Sequence, residues 1–121
     1  MYRTIVVGSS GEIGLAVMRA AIARGDQAFG LDLSPTDIPG SAGTSQIDLR
    51  NDSSVQAGFA AAVKQLGGVD VVVNAAGLMA RGSLLETSVA DFLRTIDTNL
   101  GGAFRLTQAA ARIMQPQGSG A

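Results

Sequence analysis

The feature that most constrains the fold is a glycine-rich junction near the amino terminus. A β-branched, strand-like run, Arg3–Val7, leads directly into Gly8, Gly11 and Gly14, and an apolar-periodic stretch follows. Glycine costs about 1 kcal/mol in a helix relative to alanine, so glycines at a strand–helix junction need a separate reason. The order strand, glycine turn, helix predicts the first unit of an α/β sheet.

The rest of the chain alternates buried-type strands with amphipathic helices. The spacing predicts helix 12–24, strands 27–33 and 44–49, helix 52–66, strand 69–75 and a long helix 88–114. Ser53 with Gln56, and Ser88 with Asp91, are spaced as helix-capping pairs. Right-handed crossovers then give a Rossmann-like, doubly wound parallel sheet of order 3-2-1-4. We expect one domain over residues 1–121, truncated after the fourth strand and its long helix.

The glycine turn is typical of a site that holds a pyrophosphate. Main-chain N–H groups at a helix N-terminus bind phosphate oxygens, and the helix dipole assists them. Gly8 allows the tight turn, Gly11 lets the phosphate approach the backbone, and Gly14 lets the helix lie close to the sheet. Ser9 and Ser10 add hydroxyl donors. The alternative interpretation is an ordinary tight turn.

Asp32 is a second candidate binding residue. It lies near the end of the second predicted strand, 18 residues after Gly14. A carboxylate there accepts hydrogen bonds from the ribose hydroxyls of adenosine and repels a 2′-phosphate. Neither Glu12 nor Leu33 supplies a cation for that phosphate, so the sequence favours NAD over NADP. The alternative is a solvated aspartate at a strand end.

The stretch around Asn74 is a third candidate. Asn74 ends the fourth predicted strand, beside the point where strand order reverses, and ligands occupy that crevice in sheets of this type. Small residues follow at Ala75, Ala76 and Gly77, and they keep the space open. The alternative is a strand that ends in a plain asparagine turn.

Asn99 is the fourth candidate, because it is predicted in the middle of the long helix. A buried asparagine there needs a hydrogen-bond partner, since an unpaired one costs about 1–3 kcal/mol. Gly101 and Gly102 lower the local helix propensity further, which indicates a reason outside the helix. An exposed asparagine beside glycines that allow close helix packing is the alternative.

Composition excludes several classes of function. The chain has no Cys and no His, which excludes disulfides, thiolate nucleophiles, Ser-His-Asp triads and Cys- or His-based metal sites, and we predict no metal. A net charge of −1 without basic runs argues against nucleic acid as a partner. No apolar run approaches membrane-spanning length, and the apolar start is too short for a signal peptide. A cytoplasmic location is the default expectation.

Taken together, these residues resemble the N-terminal half of a short-chain dehydrogenase/reductase. In that family an Asp-hydrophobic pair, here Asp48-Leu49, contacts the adenine, and an N-A-G motif closes strand four. A mid-helix asparagine, here Asn99, belongs to the catalytic tetrad. The resemblance implies cofactor-binding roles for Gly8, Ser9, Ser10, Gly11, Ile13, Gly14, Asp32, Leu33, Asp48, Leu49, Asn74, Ala75, Ala76 and Gly77.

The resemblance also implies an activity that these residues do not complete. Family members transfer hydride between a nicotinamide cofactor and a carbonyl or secondary alcohol, using a Ser and a Tyr-x-x-x-Lys pair. The only Tyr and Lys are Tyr2 and Lys64, and neither is placed for that role. The glycine spacing is closer to the family's extended branch. We expect an inactive chain that forms homo-oligomers through the long helix, as family members commonly do.

Two other interpretations stay open. A non-catalytic dinucleotide-binding module, completed by a partner chain or by self-association, has the same motifs, and the unpaired edge of strand four would recruit partners. A phosphoacceptor receiver domain has a similar length and strand pattern. Receivers need clustered acids after strand one, where this chain has Gly8 to Gly11, GSSG.

Overall fold

The protein forms a four-stranded parallel sheet with helices on both faces. The computed structural model describes all of residues 1–121. The strands are β1 (Arg3–Val7), β2 (Gln27–Asp32), β3 (Gly43–Gln46) and β4 (Val71–Asn74). The helices are α1 (Glu12–Ala23), α2 (Asp52–Leu66), α3 (Val89–Ile96) and α4 (Gly102–Gln117), with a π-helical segment, Asp97–Gly101, between the last two.

The sheet order is β3-β2-β1-β4, as predicted. Ile5 in β1 lies opposite Phe29 in β2 and Val72 in β4, and all three strand pairs are parallel. Strands β1 and β4 are neighbours although two other strands separate them in sequence, so the chain switches sheet direction between them. The carboxyl ends of β1 and β4 therefore border the crevice in which this fold class binds ligands.

Alternate residues of the strands point to opposite faces of the sheet and form two cores. The larger core lies between the sheet and helices α2 and α4, and includes Ile5, Val7, Phe29, Leu31, Val55, Phe59 and Leu106. The smaller one lies under α1 and contains Val6, Met18, Ala21, Ala28 and Ile38. Two covered faces explain why the central strand β1 is apolar nearly throughout, whereas the edge strand β3 is mostly polar.

Helix α2 has the predicted bounds, 52–66, but a different capping residue from the predicted one. Asn51 caps that helix, because its side-chain oxygen accepts a hydrogen bond from the Ser54 amide at 2.9 Å. The predicted Ser53–Gln56 capping pair is therefore wrong. At α3 the prediction is confirmed, since Ser88 accepts a hydrogen bond from the Asp91 amide at 3.0 Å.

Strands β3 and β4 are shorter than predicted because other groups take over their main-chain hydrogen bonds. Near the expected end of β3, the Asp48 amide donates to the Ser54 hydroxyl at 2.8 Å. Before β4, the side-chain amide of Gln117 accepts from the Val69 amide at 3.1 Å and donates to the Val69 carbonyl at 2.7 Å. Ala121 pairs with the main chain at 70 and 72. The outer edge of β4, predicted to be unpaired, is thus partly covered.

The long helix differs from its prediction in one respect. Helical structure runs from Val89 to Gln117, close to the predicted 88–114, but the π-helical segment widens one turn in the middle. No helix lies between β2 and β3, which agrees with the predicted loop. None of the helices combines the length and apolar character that crossing a membrane requires.

Candidate functional site

A cavity of about 340 Å³ opens at the carboxyl ends of β1 and β4. Its volume falls within the roughly 300–1,000 Å³ range of small-molecule pockets. The lining comes from the glycine turn, the ends of β2 and β3, the segment after β4 and the long helix. The lining residues are Val7, Gly8, Gly11, Asp32, Leu33, Ile47, Asp48, Leu49, Arg50, Ala75, Ala76, Gly77, Leu78, Arg94 and Thr98.

Gly8 and Gly14 are required by the packing of the chain itself. Gly8 has φ +82, and a Cβ there would lie 2.7 Å from the Ala76 nitrogen. A Cβ at Gly14 would lie 1.9 Å from the Gly8 carbonyl oxygen. The positive φ of Gly8 confirms the predicted tight turn, whereas Gly14 allows the helix to lie close to the turn at Gly8 and Ser9.

Gly11 has no such packing requirement. A Cβ built there would meet only the Gly8 oxygen, at an ordinary 3.5 Å, and the residue has an extended backbone with φ −76. Gly11 is also the N-cap of α1 and offers no capping side chain. The amides of Glu12, Ile13 and Gly14 have no acceptor within the chain. An open N-terminus beside a cavity can hold an anion, which fits a phosphate group.

Asp32 lies at the end of β2 and ties the turn to the following segment. One carboxylate oxygen accepts a hydrogen bond from the Ser10 amide at 3.0 Å, and the other accepts from the Ser34 amide at 2.9 Å. Each oxygen still has a lone pair free, because an ionised carboxylate offers about four acceptor sites. The side chain lines the cavity and is oriented by the two amides.

The two serines of the turn do not direct their hydroxyls toward the cavity as predicted. The Ser9 hydroxyl is fully buried and has no hydrogen-bond partner. It packs against Gly30 so closely that a Cβ built on Gly30 would lie 2.7 Å from the hydroxyl oxygen. Ser10 uses its hydroxyl to accept a hydrogen bond from the Thr36 amide at 3.0 Å. Ile13 is 72% exposed and lies outside the lining. The Ser9 hydroxyl is thus buried away from the cavity, and the Ser10 hydroxyl is occupied by Thr36.

Asp48 and Leu49 form the opposite side of the cavity, with Arg50 beside them. The Asp48 carboxylate accepts from the Arg50 amide at 3.0 Å and contacts the Arg50 side chain at 3.4 Å. The amide hydrogen bond, followed by the pairing with the guanidinium, lowers the pKa of Asp48 below its ordinary value. Asp48 is therefore ionised at neutral pH and balances the nearby arginine.

Asn74 and Asn99 act on the segment after β4 through hydrogen bonds. Asn74 accepts from the Ala76 amide at 3.1 Å and so forms the turn that leaves the strand. Asn99, in the π-helical segment, accepts from the Leu78 amide and donates to the Leu78 carbonyl, both at 2.7 Å. Asn99 is exposed, so the expectation that it is buried is wrong, but the expected hydrogen bonding is present.

The structure brings nine of the predicted residues into the lining and leaves others behind it. The nine are Gly8, Gly11, Asp32, Leu33, Asp48, Leu49, Ala75, Ala76 and Gly77. Gly14 and the two asparagines shape the turns that carry them. Sequence reasoning missed six lining residues: Val7, Ile47, Arg50, Leu78, Arg94 and Thr98. Thr98 precedes the predicted Asn99, and Leu78 follows the predicted Gly77. Their positions next to these motifs could therefore have identified both as lining residues.

Comparison with known proteins gives one family for nearly the whole chain. The model described as enoyl-(acyl carrier protein) reductase matches residues 11–121. A curated relative, the 2-(R)-hydroxypropyl-CoM dehydrogenase of Xanthobacter autotrophicus, is 33% identical over 96% of this chain and 52% of its own length. The chain spans about half the length of the curated relatives it matches.

Solved structures agree with the sequence comparison. A variant of a Serratia marcescens short-chain dehydrogenase/reductase superposes with a TM-score of 0.80 at 26% identity, covering 91% of this chain and 50% of that one. A variant of an actinorhodin polyketide ketoreductase, solved with NADPH, gives a TM-score of 0.84 at 27% identity. That match covers 97% of this chain and 49% of the ketoreductase.

Proposed function

The chain belongs to the short-chain dehydrogenase/reductase family, and from this we propose that its cavity binds a nicotinamide dinucleotide, NAD in preference to NADP. One observation carries the proposal. Gly11 lines the cavity without any packing reason to be glycine, and the open N-terminus of α1 follows it directly. A diphosphate needs this combination of bare backbone and free amides.

The proposed preference for NAD rests on Asp32. Its carboxylate has lone pairs left for the 2′- and 3′-hydroxyls of the adenosine ribose, and its charge disfavours a 2′-phosphate. Arg50 and Arg94 also line the cavity, and either cation could attract a phosphate. Arg50 is paired with Asp48, and Arg94 with Asp91 at 3.3 Å. Both guanidiniums are therefore already neutralised in part, whereas Asp32 has no cationic partner.

The reaction we propose is hydride transfer between the nicotinamide and a carbonyl or secondary alcohol. Bound NAD supplies the hydride acceptor, and the chain's own residues orient it: the turn holds the diphosphate and Asp32 the ribose. Asn99 lies beside the segment after β4 through its two hydrogen bonds to Leu78. We propose that Asn99 sets the position of this segment next to the nicotinamide half.

We further propose that these 121 residues do not catalyse hydride transfer by themselves. The only tyrosine, Tyr2, precedes β1 and so lies at the end of the sheet opposite the cavity. The only lysine, Lys64, is exposed on α2. Without a Tyr-x-x-x-Lys pair nothing in the chain is placed to move the alcohol proton. The alternative function is a dinucleotide-binding module without catalysis, and both functions require the same cavity.

Calorimetric titration of the purified chain with NAD and with NADP tests the proposal. We expect weak NAD binding and weaker NADP binding. Asp32→Ala should reduce NAD affinity about tenfold, the loss of roughly two hydrogen bonds, and should remove the preference. Asp37→Ala is the matched control, since Asp37 is an exposed acid without hydrogen bonds in the segment that follows β2. Equal NAD affinity in the Asp32 variant, or no binding by the folded chain, would overturn the assignment.

We also propose that the chain associates with a second copy through its long helix. The exposed apolar side chains there recur at helical spacing and form one stripe: Val89, Phe92, Leu93, Ile96, Leu100 and Phe104. Burying such a stripe is favourable at about 25 cal/mol per Å² of apolar surface. Light scattering on a sizing column should give a dimer mass, and Phe92→Lys should lower it. A monomer at high micromolar concentration would contradict this part.

A further inference from the structure

Arg105 makes hydrogen bonds to three separate segments. From α4 its Nε donates to the Asp52 carboxylate at 2.9 Å, at the start of α2. Its Nη1 donates to the Leu49 carbonyl at 3.0 Å. The same nitrogen pairs with the Asp97 carboxylate at 2.8 Å and contacts the Asp97 carbonyl at 3.3 Å. One side chain therefore joins the 48–50 turn, helix α2 and the π-helical segment.

The two glycines after Asn99 make space for these contacts. A Cβ at Gly101 would lie 2.7 Å from the Asp97 carboxylate and 3.0 Å from Nη1 of Arg105. A Cβ at Gly102 would lie 2.8 Å from Cβ of Leu49. These glycines reduce helix propensity, so their presence favours the contacts over a regular helix. Gly101 thus makes room for the Asp97–Arg105 pair, and Gly102 makes room for the Leu49 side chain beside it.

Two of the segments that Arg105 joins line the cavity, at different places. Asp48, Leu49 and Arg50 line one side, and Thr98, next to Asn99, lines the other. Arg105 itself is absent from the lining and is 25% exposed at its side chain. It lies behind the cavity and does not touch what the cavity holds. Any effect of Arg105 on a ligand acts through the residues it positions.

We propose that Arg105 is a positioning residue that holds the 48–50 turn against the π-helical segment, and so couples binding of the adenosine half to the placement of Asn99. The inference rests on the proposed function, because it assumes that the adenosine half occupies the side lined by Asp48 and Leu49. A planar guanidinium with several donors suits this role, since it reaches acceptors on different segments at once. The hydrogen bond to Asp97 raises the pKa of Arg105 further, and the group stays charged.

Coupling of this kind is reciprocal. If Arg105 connects the two sides, a ligand that orders the 48–50 turn also orders the π-helical segment. If Arg105 formed only a stabilising surface ion pair, a ligand at the 48–50 turn would not order the π-helical segment. The two explanations separate in an experiment that measures what AMP does to residues 97–101 with and without Arg105.

The experiment uses AMP as the probe and the full chain as the protein. We expect Arg105→Gln to bind AMP about tenfold more weakly in calorimetry, within the range that mutations in coupling networks produce. In hydrogen exchange, AMP should protect residues 97–101 in the unaltered chain but not in Arg105→Gln. Protection of the glycine turn by AMP should persist in both. Arg105→Lys should be intermediate, since an ammonium cannot satisfy all the acceptors.

Arg112→Gln is the matched control, because Arg112 is an exposed arginine on the same helix without hydrogen bonds. It should leave AMP affinity and protection unchanged. If circular dichroism shows that Arg105→Gln does not fold, Asp97→Asn takes its place, because it removes the ionic partner of Arg105 and keeps its shape. We expect Asp97→Asn to bind AMP about threefold more weakly.

The outcomes separate this inference from the proposed function. If the unaltered chain binds neither NAD nor AMP, the proposed function fails and this inference with it. If the unaltered chain binds AMP, and Arg105→Gln or its Asp97→Asn replacement binds it equally well with the same protection of residues 97–101, the inference alone is overturned. An equal loss in Arg112→Gln also overturns it, because the effect would then come from charge and not from position.

Discussion

Two of the walls that line the cavity are built on different principles. The glycine wall, residues 8–14, is set by sterics: Gly8 and Gly14 lie against backbone atoms that leave no room for a Cβ. The helix wall, residues 76–78 and 94–99, is set by a few polar contacts, such as the two hydrogen bonds between Asn99 and Leu78. We infer that the glycine wall is rigid, whereas the helix wall is adjustable.

The largest expected effect breaks the glycine wall. Gly14→Ala should lower the free energy of unfolding by about 3 kcal/mol or more, the upper range for overpacking, because its Cβ would lie 1.9 Å from the Gly8 oxygen. Urea denaturation followed by circular dichroism measures the change. Gly11→Ala is the control, and it should unfold within about 1 kcal/mol of the unaltered chain while losing NAD affinity. Equal destabilisation by the two variants would contradict the steric account.

The next effect loosens the helix wall. Asn99→Ala removes two hydrogen bonds and should cost about 1–2 kcal/mol, with faster amide exchange at Leu78 than elsewhere. Hydrogen exchange with mass spectrometry locates the change. Gln108→Ala, an exposed residue on the same helix without hydrogen bonds, should have no effect. Unchanged amide exchange at Leu78 would contradict the prediction, because contacts other than the Asn99 hydrogen bonds would then hold this segment.

A smaller effect should strengthen the glycine wall. Ser9→Ala removes a buried hydroxyl that has no hydrogen-bond partner, and we expect a gain of about 1 kcal/mol in the free energy of unfolding. Ser10→Ala is the contrasting variant, because its hydroxyl accepts from the Thr36 amide and its loss should destabilise. A destabilised Ser9→Ala would show that the hydroxyl has a partner after all, such as a bound water.

The smallest effect is a pH dependence at the base of β4, the strand that leads into the helix wall. Hydrogen bonds from the Arg3 side chain, then its amide, lower the pKa of Asp70 from 3.8 to about 2. The unfolded chain binds this proton more readily, so the contribution to stability is complete above about pH 4 and is lost as the pH falls toward 2. Solvent screening keeps it small. Asp70→Asn should flatten the slope of unfolding free energy in that window; an unchanged slope would contradict the assignment.

The sequence predicted the backbone of the glycine wall better than the long-range contacts that support the helix wall. Strand order followed from the sequence of elements and the hand of their crossovers, and the turn followed from the glycine spacing. The steric requirement at Gly14 involves Gly8 and Ser9, which are close in sequence, whereas that at Gly8 involves Ala76. Arg105 and Gln117 could not be identified in this way. Their partners, such as Asp52 and Val69, lie some 50 residues away and are ordinary in their own segments. The buried hydroxyl of Ser9 depends on Gly30 in another strand and was equally invisible.

The pairing of Gln117 with Val69 has a consequence for behaviour at high concentration. A carboxamide carries the same donor and acceptor as a peptide group, so this side chain occupies the main chain of Val69, just before β4, where a foreign strand would otherwise dock. An incoming strand must first displace this side chain, which adds a barrier to edge-to-edge pairing of strands between molecules. Conversion of that amide to a carboxylate, by mutation or by slow chemical ageing, would remove the donor and leave the Val69 carbonyl open to an incoming strand.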